Sequence, residues 1–411
     1  MSTRQLRDVA AAAAKYGTLI EITNRANMQI RGIATVSHLQ LVRDLVKAGV
    51  TLADPDLDGL RNVLASPTAG YDVREITDTR DLVTKVIAHL TGPSGEALGP
   101  KFGALIDGGG AVHVRGRQLD MSLGAVGLRD GTWCFELRLG EALPEVYGEQ
   151  VVVLVAPEHA AAVACAVIDL ISINSVVGGR VSGLTALLGT REALRQIAAR
   201  SGAPLREVEP GELRPLAGPS DRPIGVIAQR QPGTSMVGAM PILGRLTPAT
   251  LEAIASIAER AGGSEVRLTP WRSVLLTNIA THHAPSALRE FEQLGLAIEH
   301  SDPALNVVAC AGSEGCASTS TDTQRDATSL LATLRGTSPT RRVSVHLSGC
   351  PKRCADRGTD YDLTLVGSAT DGTYELIFRD GRAASASATR YLSSEQALRA
   401  VLSIDTARES D

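Results

Sequence analysis

At 411 residues the chain exceeds what one ordinary hydrophobic core supports and should divide into roughly two or three domains, each burying its own apolar face. Hydrophobic residues make up 44% and charged residues 21%, and 41 basic against 45 acidic side chains leave a net charge of −4, which excludes a disordered chain and advertises no nucleic-acid partner. No apolar run reaches the length of a membrane span; the longest, near 160–173, is interrupted by Asp169.

The N-terminus carries Arg4 and Arg7 ahead of an alanine run that reads as an amphipathic helix over 3–16, with no separate cleavage region. That predicts no signal peptide and a cytoplasmic protein, in a compartment where thiols stay reduced. Two β-like runs follow at 18–23 and 28–33, then a helix over 37–49 closed by Gly49. The same order of helix, strand, strand and helix returns at 247–263, 264–269, 273–279 and 284–295. Leu251, Ile254 and Ile257 repeat the face of Leu6, Val9 and Ala13, and Arg267-Leu268-Thr269 aligns with Glu21-Ile22-Thr23. This is a duplication spaced by about half the chain, not a tandem solenoid. Only the second copy is preceded by strand-like runs, at 225–229 and 234–240, which predicts an uncovered sheet edge in the first copy or a natural start upstream of Met1.

Between the copies, 102–107, 111–116 and 131–140 read as strands joined by Gly-rich turns. A strand then runs into a long buried helix over 151–172, another helix follows near 190–200, and the Pro/Gly-rich stretch 209–223 reads as a linker. The last quarter alternates strands (342–347, 362–367, 374–378) with helices (322–334, 393–403), an α/β pattern.

That last quarter holds Cys310 and Cys316, spaced C-x5-C, and after a gap of 33 residues Cys350 and Cys354, spaced C-x3-C. Gly312, Gly315, Gly349 and Pro351 keep both arms out of regular helix and let them converge. Four thiolates on two loops suit an iron–sulfur cubane, in which each iron takes one soft anionic ligand and nearby N–H groups offset the cluster charge. Structural zinc ranks second, because its knuckles usually space their cysteines by two to four residues, and a disulfide pair ranks third. Cys134 and Cys165 lie in a strand and a buried helix and read as packing residues. The eight histidines form no visible facial set, although His346 lies four residues before Cys350 and His282 and His283 are adjacent.

The cysteine pattern and the split duplication resemble the nitrite/sulfite reductase superfamily, over nearly the whole chain. Within it, the segments 22–33 and 267–277 look most like the precorrin-3B synthase branch. The resemblance implies an α+β fold of duplicated ferredoxin-like halves, at 1–90 and 222–298, with two α/β domains, at 91–221 and 299–411, the last carrying the cluster. It implies a 4Fe-4S cluster on Cys310, Cys316, Cys350 and Cys354, with Cys354 in the place of the cysteine that bridges to a second metal, and a mononuclear non-haem iron besides. The implied reaction is dioxygen-dependent conversion of precorrin-3A to precorrin-3B, by hydroxylation of a meso carbon and lactone formation, with electrons from an external donor.

A tetrapyrrole of this class bears many carboxylates and calls for fixed cations, arginine above all. By resemblance Arg25 matches the reductases' oxyanion-binding arginine, and Lys101 matches the first lysine of their K-F-K segment, whose second lysine is Gly103 here. The stretch 89–99, uncharged except for Glu96, offers no counterpart to a further arginine. Arg117, in a segment resembling the cofactor-lining turn (116–127), and Arg272, in the second copy, are added as substrate-binding candidates; Arg31 and Arg115 rank below them, since a single arginine is ordinarily a solvated surface charge. Asn24, Asn27 and Gln29 are candidates for hydrogen bonds to the macrocycle edge. A siroheme-dependent sulfite or nitrite reductase is the alternative within the fold, and a non-catalytic iron–sulfur electron carrier ranks third, because some 300 residues ahead of the cysteines imply a large bound ligand.

Overall fold

The computed structural model describes residues 1–117, 119–140, 152–208, 211–214, 220, 222–337, 343–355, 361–368, 373–378, 396 and 399. The helix expected over 393–403, apart from 396 and 399, and most of the expected linker therefore lie outside the described residues. The fold mixes helix and sheet in two compact units: Met1, Leu39–Pro223 and Ala228–Ser235 form one, and Ser2–His38, Ile224–Ile227 and Met236–Asp411 the other. The break at Pro223/Ile224 lies beside the expected boundary at 221/222, and the break at His38/Leu39 falls inside the expected first half. No described helix is long and apolar enough to cross a membrane.

The first unit is built on a six-stranded sheet, in the order Val63–Ala65, Ala104–Asp107, Met121–Gly127, Trp133–Leu139, Val153–Val155, Arg206–Glu207. The first three strands run parallel and the rest antiparallel. Helix Ala160–Ile173 buries Val163, Val167 and Ile171 against Phe102, Leu123 and Leu137 of this sheet's core. Asp169, which interrupts the apolar run, is a tie point: its carboxylate meets His89 Nε2 at 2.8 Å, Ser94 Oγ at 2.7 Å and Arg200 Nε at 2.9 Å. Burial alone would raise its pKa, but the bonds from Ser94, Arg200 and His89 outweigh that and hold it below the ordinary range.

Two expectations fail here, for different reasons. The segment 111–116 is irregular, although Val112 and Val114 are buried, because side-chain carboxylates stand in for ladder partners: Val112 N–H donates to Asp72 Oδ2 (3.1 Å) and Val114 N–H to Asp107 Oδ2 (2.8 Å). The segment read as a turn at 116–127 instead supplies Met121–Gly127, a central strand with buried Met121, Leu123 and Ala125.

Glu75 occupies the loop after Val63–Ala65, its carboxylate accepting from Gly70 N–H at 2.9 and 3.0 Å and lying 3.5 Å from Arg230 Nη2. Burial, reinforced by Asp78 and Asp72, pushes its pKa up to about 7 against the pull of Gly70 and Arg230. A folded-state pKa above the unfolded one means that the native state holds an extra proton, so the stabilisation is complete below the ordinary carboxylate pKa and is lost as pH rises to about 7. Denaturant titrations from pH 5 to 8 should show the wild type losing up to about 3 kcal/mol relative to Glu75→Gln across that window; parallel curves for the two proteins would show that Glu75 does not titrate there.

In the second unit the duplicated helices pack on one another. Helix Thr3–Tyr16 starts at a capping box, with Gln5 N–H donating to Ser2 Oγ at 3.1 Å and Ser2 N–H to Gln5 Oε1 at 3.0 Å. Helix Pro248–Arg260 starts at Thr247, whose hydroxyl accepts from Thr250 N–H at 3.0 Å. Both bury the faces expected, Leu6, Val9 and Ala13 in one and Leu251, Ile254 and Ile257 in the other, and Arg7 joins them through Ser256 (3.0 Å) and Glu259 (2.7 Å). The second copy's strands Val266–Leu268 and Val274–Ala280 extend through Thr234–Ala239 to Gly225–Ala228. The first copy's edge is not left open: Leu19–Ile22 pairs with Met28–Arg31 on one side and with Arg245–Leu246 on the other, Glu21 facing Gln29 and Arg245.

The last sheet runs Val307–Ala309, Val345–Ser348, Leu363–Gly367, Tyr374–Phe378, the first three parallel. Helix Thr323–Thr337 covers it with Leu330, Leu331 and Leu334.

Candidate metal centre

Parallel pairing decides where the cysteines go. Ala309 lies opposite Leu347, so the arms bearing Cys310 and Cys350 leave neighbouring strands at the same edge. Cys310 N–H donates to Leu347 O at 3.0 Å, and Gly349 N–H donates to Cys310 Sγ at 3.2 Å. Close approach of the arms requires glycine: a Cβ on Gly349 would stand 2.5 Å from Thr319 Oγ1, and one on Gly367 would stand 2.6 Å from Thr321 Oγ1. Beyond Cys350, Lys352 Nζ reaches Ser318 Oγ at 3.5 Å, so the C-x3-C arm lies along the segment that follows Cys316.

Cys310 is held at every polar atom. Its carbonyl accepts from Thr323 Oγ1 (2.9 Å) and Gln324 Nε2 (2.6 Å), and its sulfur lies 3.5 Å from Thr323 Oγ1 at the N-terminus of Thr323–Thr337. Cys310, Cys316 and Cys350 are half-buried, Cys354 is exposed, and all four are free thiols. The donors therefore fit a four-thiolate iron–sulfur group in number, chemistry and facing loops. Among the described residues no three His, Cys, Asp or Glu side chains are gathered as a ligand set, either for this group or for a mononuclear iron. Cys134 and Cys165 match packing residues: burial pushes both thiols up.

The candidate ligand-binding residues fall in both units. Lys101 is exposed in the turn before Ala104–Asp107, and Arg117 is half-buried, both in the first unit. There Arg115, ranked lower, is spent on Asp107 at 3.3 Å. Asn24, Arg25 and Asn27 form the turn between Leu19–Ile22 and Met28–Arg31 in the second unit. Arg25 is exposed, with its N–H on Thr23 Oγ1 at 3.2 Å. Gln29 Oε1 accepts from Arg31 Nη2 at 2.9 Å, and Arg31 pairs with Glu21 at 2.8 Å.

The repeat explains Arg272. Thr23 N–H donates to Asn27 O (2.8 Å) around a left-handed Ala26 (φ 58°), and Thr269 N–H donates to Ser273 O (2.9 Å) around a left-handed Arg272 (φ 63°). Arg272 is thus the counterpart of Ala26, one place on from the position of Arg25. Its Nη1 donates to Ala309 O at 3.2 Å, beside Cys310. Sequence reasoning missed Glu21, Arg245, Thr323 and Gln324; the available signal was a glutamate at an alternating position of the apolar run LIEI, repeated by no other strand of that copy.

Residues 1–48 and 227–294 match the model of the nitrite/sulfite reductase ferredoxin-like half domain. The chain is 28% identical to a ferredoxin–nitrite reductase of Synechococcus elongatus, covering 90% of this chain and 74% of the relative. It is also 28% identical to a precorrin-3B synthase of Sinorhizobium sp, covering 88% and 73%. The solved structure of the Mycobacterium tuberculosis NirA protein aligns with a TM-score of 0.75 at 22% identity, over 92% of this chain and 72% of that one, which establishes the fold.

Proposed function

We propose, from a chain related to the nitrite/sulfite reductase family in sequence and in fold, an oxidoreductase of tetrapyrrole metabolism that converts precorrin-3A to precorrin-3B. One oxygen atom of dioxygen enters the meso carbon as hydroxyl, and the other leaves as water with two electrons and two protons from an external donor, for which a ferredoxin is the natural class given its relatives' names. A 4Fe-4S group on Cys310, Cys316, Cys350 and Cys354 would supply electron transfer when bound. Arg25 and Lys101 hold macrocycle carboxylates, with Arg117, Asn24, Asn27 and Gln29 at its edge.

The observation that carries this reading is Gly103. Reduction of a small oxyanion needs concentrated positive charge, and this position, lysine in the reductases' K-F-K segment, is buried and crowded. Its N–H donates to Asp120 Oδ2 at 3.0 Å, and a Cβ would lie 2.9 Å from Leu119 Cδ2 and 3.0 Å from Asn62 Nδ2. The second reading, a siroheme-dependent nitrite or sulfite reductase, is favoured by kinship with nitrite reductases at the same level of identity.

Protein purified without oxygen separates the two. The synthase reading expects cluster iron and sulfide without stoichiometric siroheme, negligible nitrite or sulfite reduction with a strong artificial donor, and dioxygen uptake only with precorrin-3A. Arg25→Ala should weaken tetrapyrrole binding by about 1.5–3 kcal/mol, more than Arg117→Ala does. Stoichiometric siroheme with brisk turnover of either anion would replace this reading by the second.

A further inference from the structure

Two arginines from the second repeat copy reach the carbonyls on either side of Cys310. Arg272 Nη1 donates to Ala309 O at 3.2 Å, and Arg245 Nη2 donates to Ala311 O at 3.2 Å. Neither guanidinium is loosely held. Arg245 Nε donates to Glu21 Oε1 at 3.0 Å, and Glu21 is directly opposite Arg245 across the strand pair, so the two side chains leave the same sheet face. Arg31 fixes the other carboxylate oxygen of Glu21, with Nε at 2.9 Å from Oε2.

Arg272 is fixed by its backbone. It sits in the left-handed region at φ 63°, which is costly for a residue with a Cβ. The turn imposes it: Thr269 Oγ1 accepts from Trp271 N–H (3.2 Å) and Ser273 N–H (3.3 Å). Its stem lies on Gly244, where a Cβ would come within 2.9 Å of Arg272 Cβ and Cδ. The first copy places alanine at the equivalent turn position, so turn geometry alone does not call for arginine. Arg272 Nε is buried and has no hydrogen-bond partner among the described residues, a donor left over beside the Cys310 arm. Burial works against its charge, and Tyr361, Glu21 and Cys310 oppose that effect.

We propose that Arg245 and Arg272 are positioning residues that clamp the Cys310 arm by its flanking carbonyls and set two permanent positive charges beside the Cys310 thiolate, with Glu21 holding Arg245 in register. The clamp stands on geometry alone; the charge effect rests on the cluster reading above. Guanidinium groups suit the task because they stay charged where they are half-buried and keep a rigid fork of donors. Nearby positive charge favours the more negative, reduced state of an iron–sulfur group, so it raises the reduction potential.

The test uses the full chain, without cluster and after anaerobic reconstitution with iron and sulfide. In the cluster-free protein, Arg272→Met and Arg245→Met should speed amide exchange across 309–316 by about tenfold, the scale of one lost hydrogen bond. Exchange across 363–367 should stay as in the wild type, showing that the sheet is intact. Arg31→Met, which removes a partner of Glu21 that does not touch the arm, should leave 309–316 nearly unchanged. In reconstituted protein both methionine variants should shift the cluster's midpoint potential to more negative values, and Arg272→Lys should restore most of it. Unchanged exchange at 309–316 in both methionine variants overturns the clamp, and an unmoved potential in both loaded variants overturns the charge placement. Should wild-type chain take up no iron or sulfide, the cluster reading fails, and the exchange measurement still decides the clamp.

Discussion

Cys350→Ser is expected to lose the cluster iron and acid-labile sulfide that the proposed function assigns to the wild type, while Cys134→Ser and Cys165→Ser keep the full complement. Cys350 follows Gly349, whose N–H is on Cys310 Sγ, at the end of Val345–Ser348, so its backbone lies on the second arm beside that of Cys310. A serine oxygen is a harder, less readily ionised donor than a thiolate, and the binding free energy of such a group is part of the folding free energy of its loops. Loss of the ligand should therefore also lower the unfolding temperature of the last sheet. Iron and sulfide analysis on the three variants decides the matter, and a Cys350→Ser protein with undiminished iron and sulfide would remove this residue from the ligand set.

Asp120→Asn should cost the first unit about 3–5 kcal/mol. Asp120 is 2% exposed and joins three groups: Gly103 N–H at 3.0 Å, Val181 N–H at 3.0 Å, and Arg180 Nε at 2.7 and 2.8 Å from its two oxygens. Asparagine keeps the shape but turns one acceptor into a donor and removes the negative charge that faces Arg180. Arg180→Met in the Asp120→Asn background should recover part of the loss, since it removes the positive charge that Asp120 had faced. Equilibrium denaturation of the two variants checks this, and a loss below about 1 kcal/mol for Asp120→Asn would mean that the backbone donors alone hold the 103–120 and 180–181 segments together.

Much of the fold could be read from periodicity because the repeated elements satisfy local and tertiary demands with the same residues. Leu6, Val9 and Ala13, with Leu251, Ile254 and Ile257, mark helical faces by spacing, and those faces are the buried ones. The central strand at Met121–Gly127 escaped because its two glycines and serine imitate a turn, while both its faces are covered in the six-stranded sheet. The segment 111–116 misled in the opposite sense, since burial of alternate valines does not require a ladder when Asp72 and Asp107 supply the acceptors. At the candidate site, the cysteine arms were visible as spacing and glycine content. The clamp was not, because Arg245 meets Glu21 only through a strand pair 224 residues apart in the chain. Arg272 was singled out as a ligand-binding candidate; its left-handed turn position, invisible in sequence, brings its Nη1 to Ala309 O.

The borrowed strand Arg245–Leu246 bears on the history of the duplication. A first copy freed from the second would present the unsatisfied N–H and C=O groups of Leu19–Ile22 along an apolar edge, the kind of surface that templates sheet-to-sheet association. Residues 1–48 expressed alone should for that reason self-associate, and the addition of a fragment spanning 222–298 should compete for the same edge. The two halves are therefore not separable modules: one side of Leu19–Ile22 is closed by Arg245–Leu246, backbone supplied from the second half, and excising the first half reopens that seam.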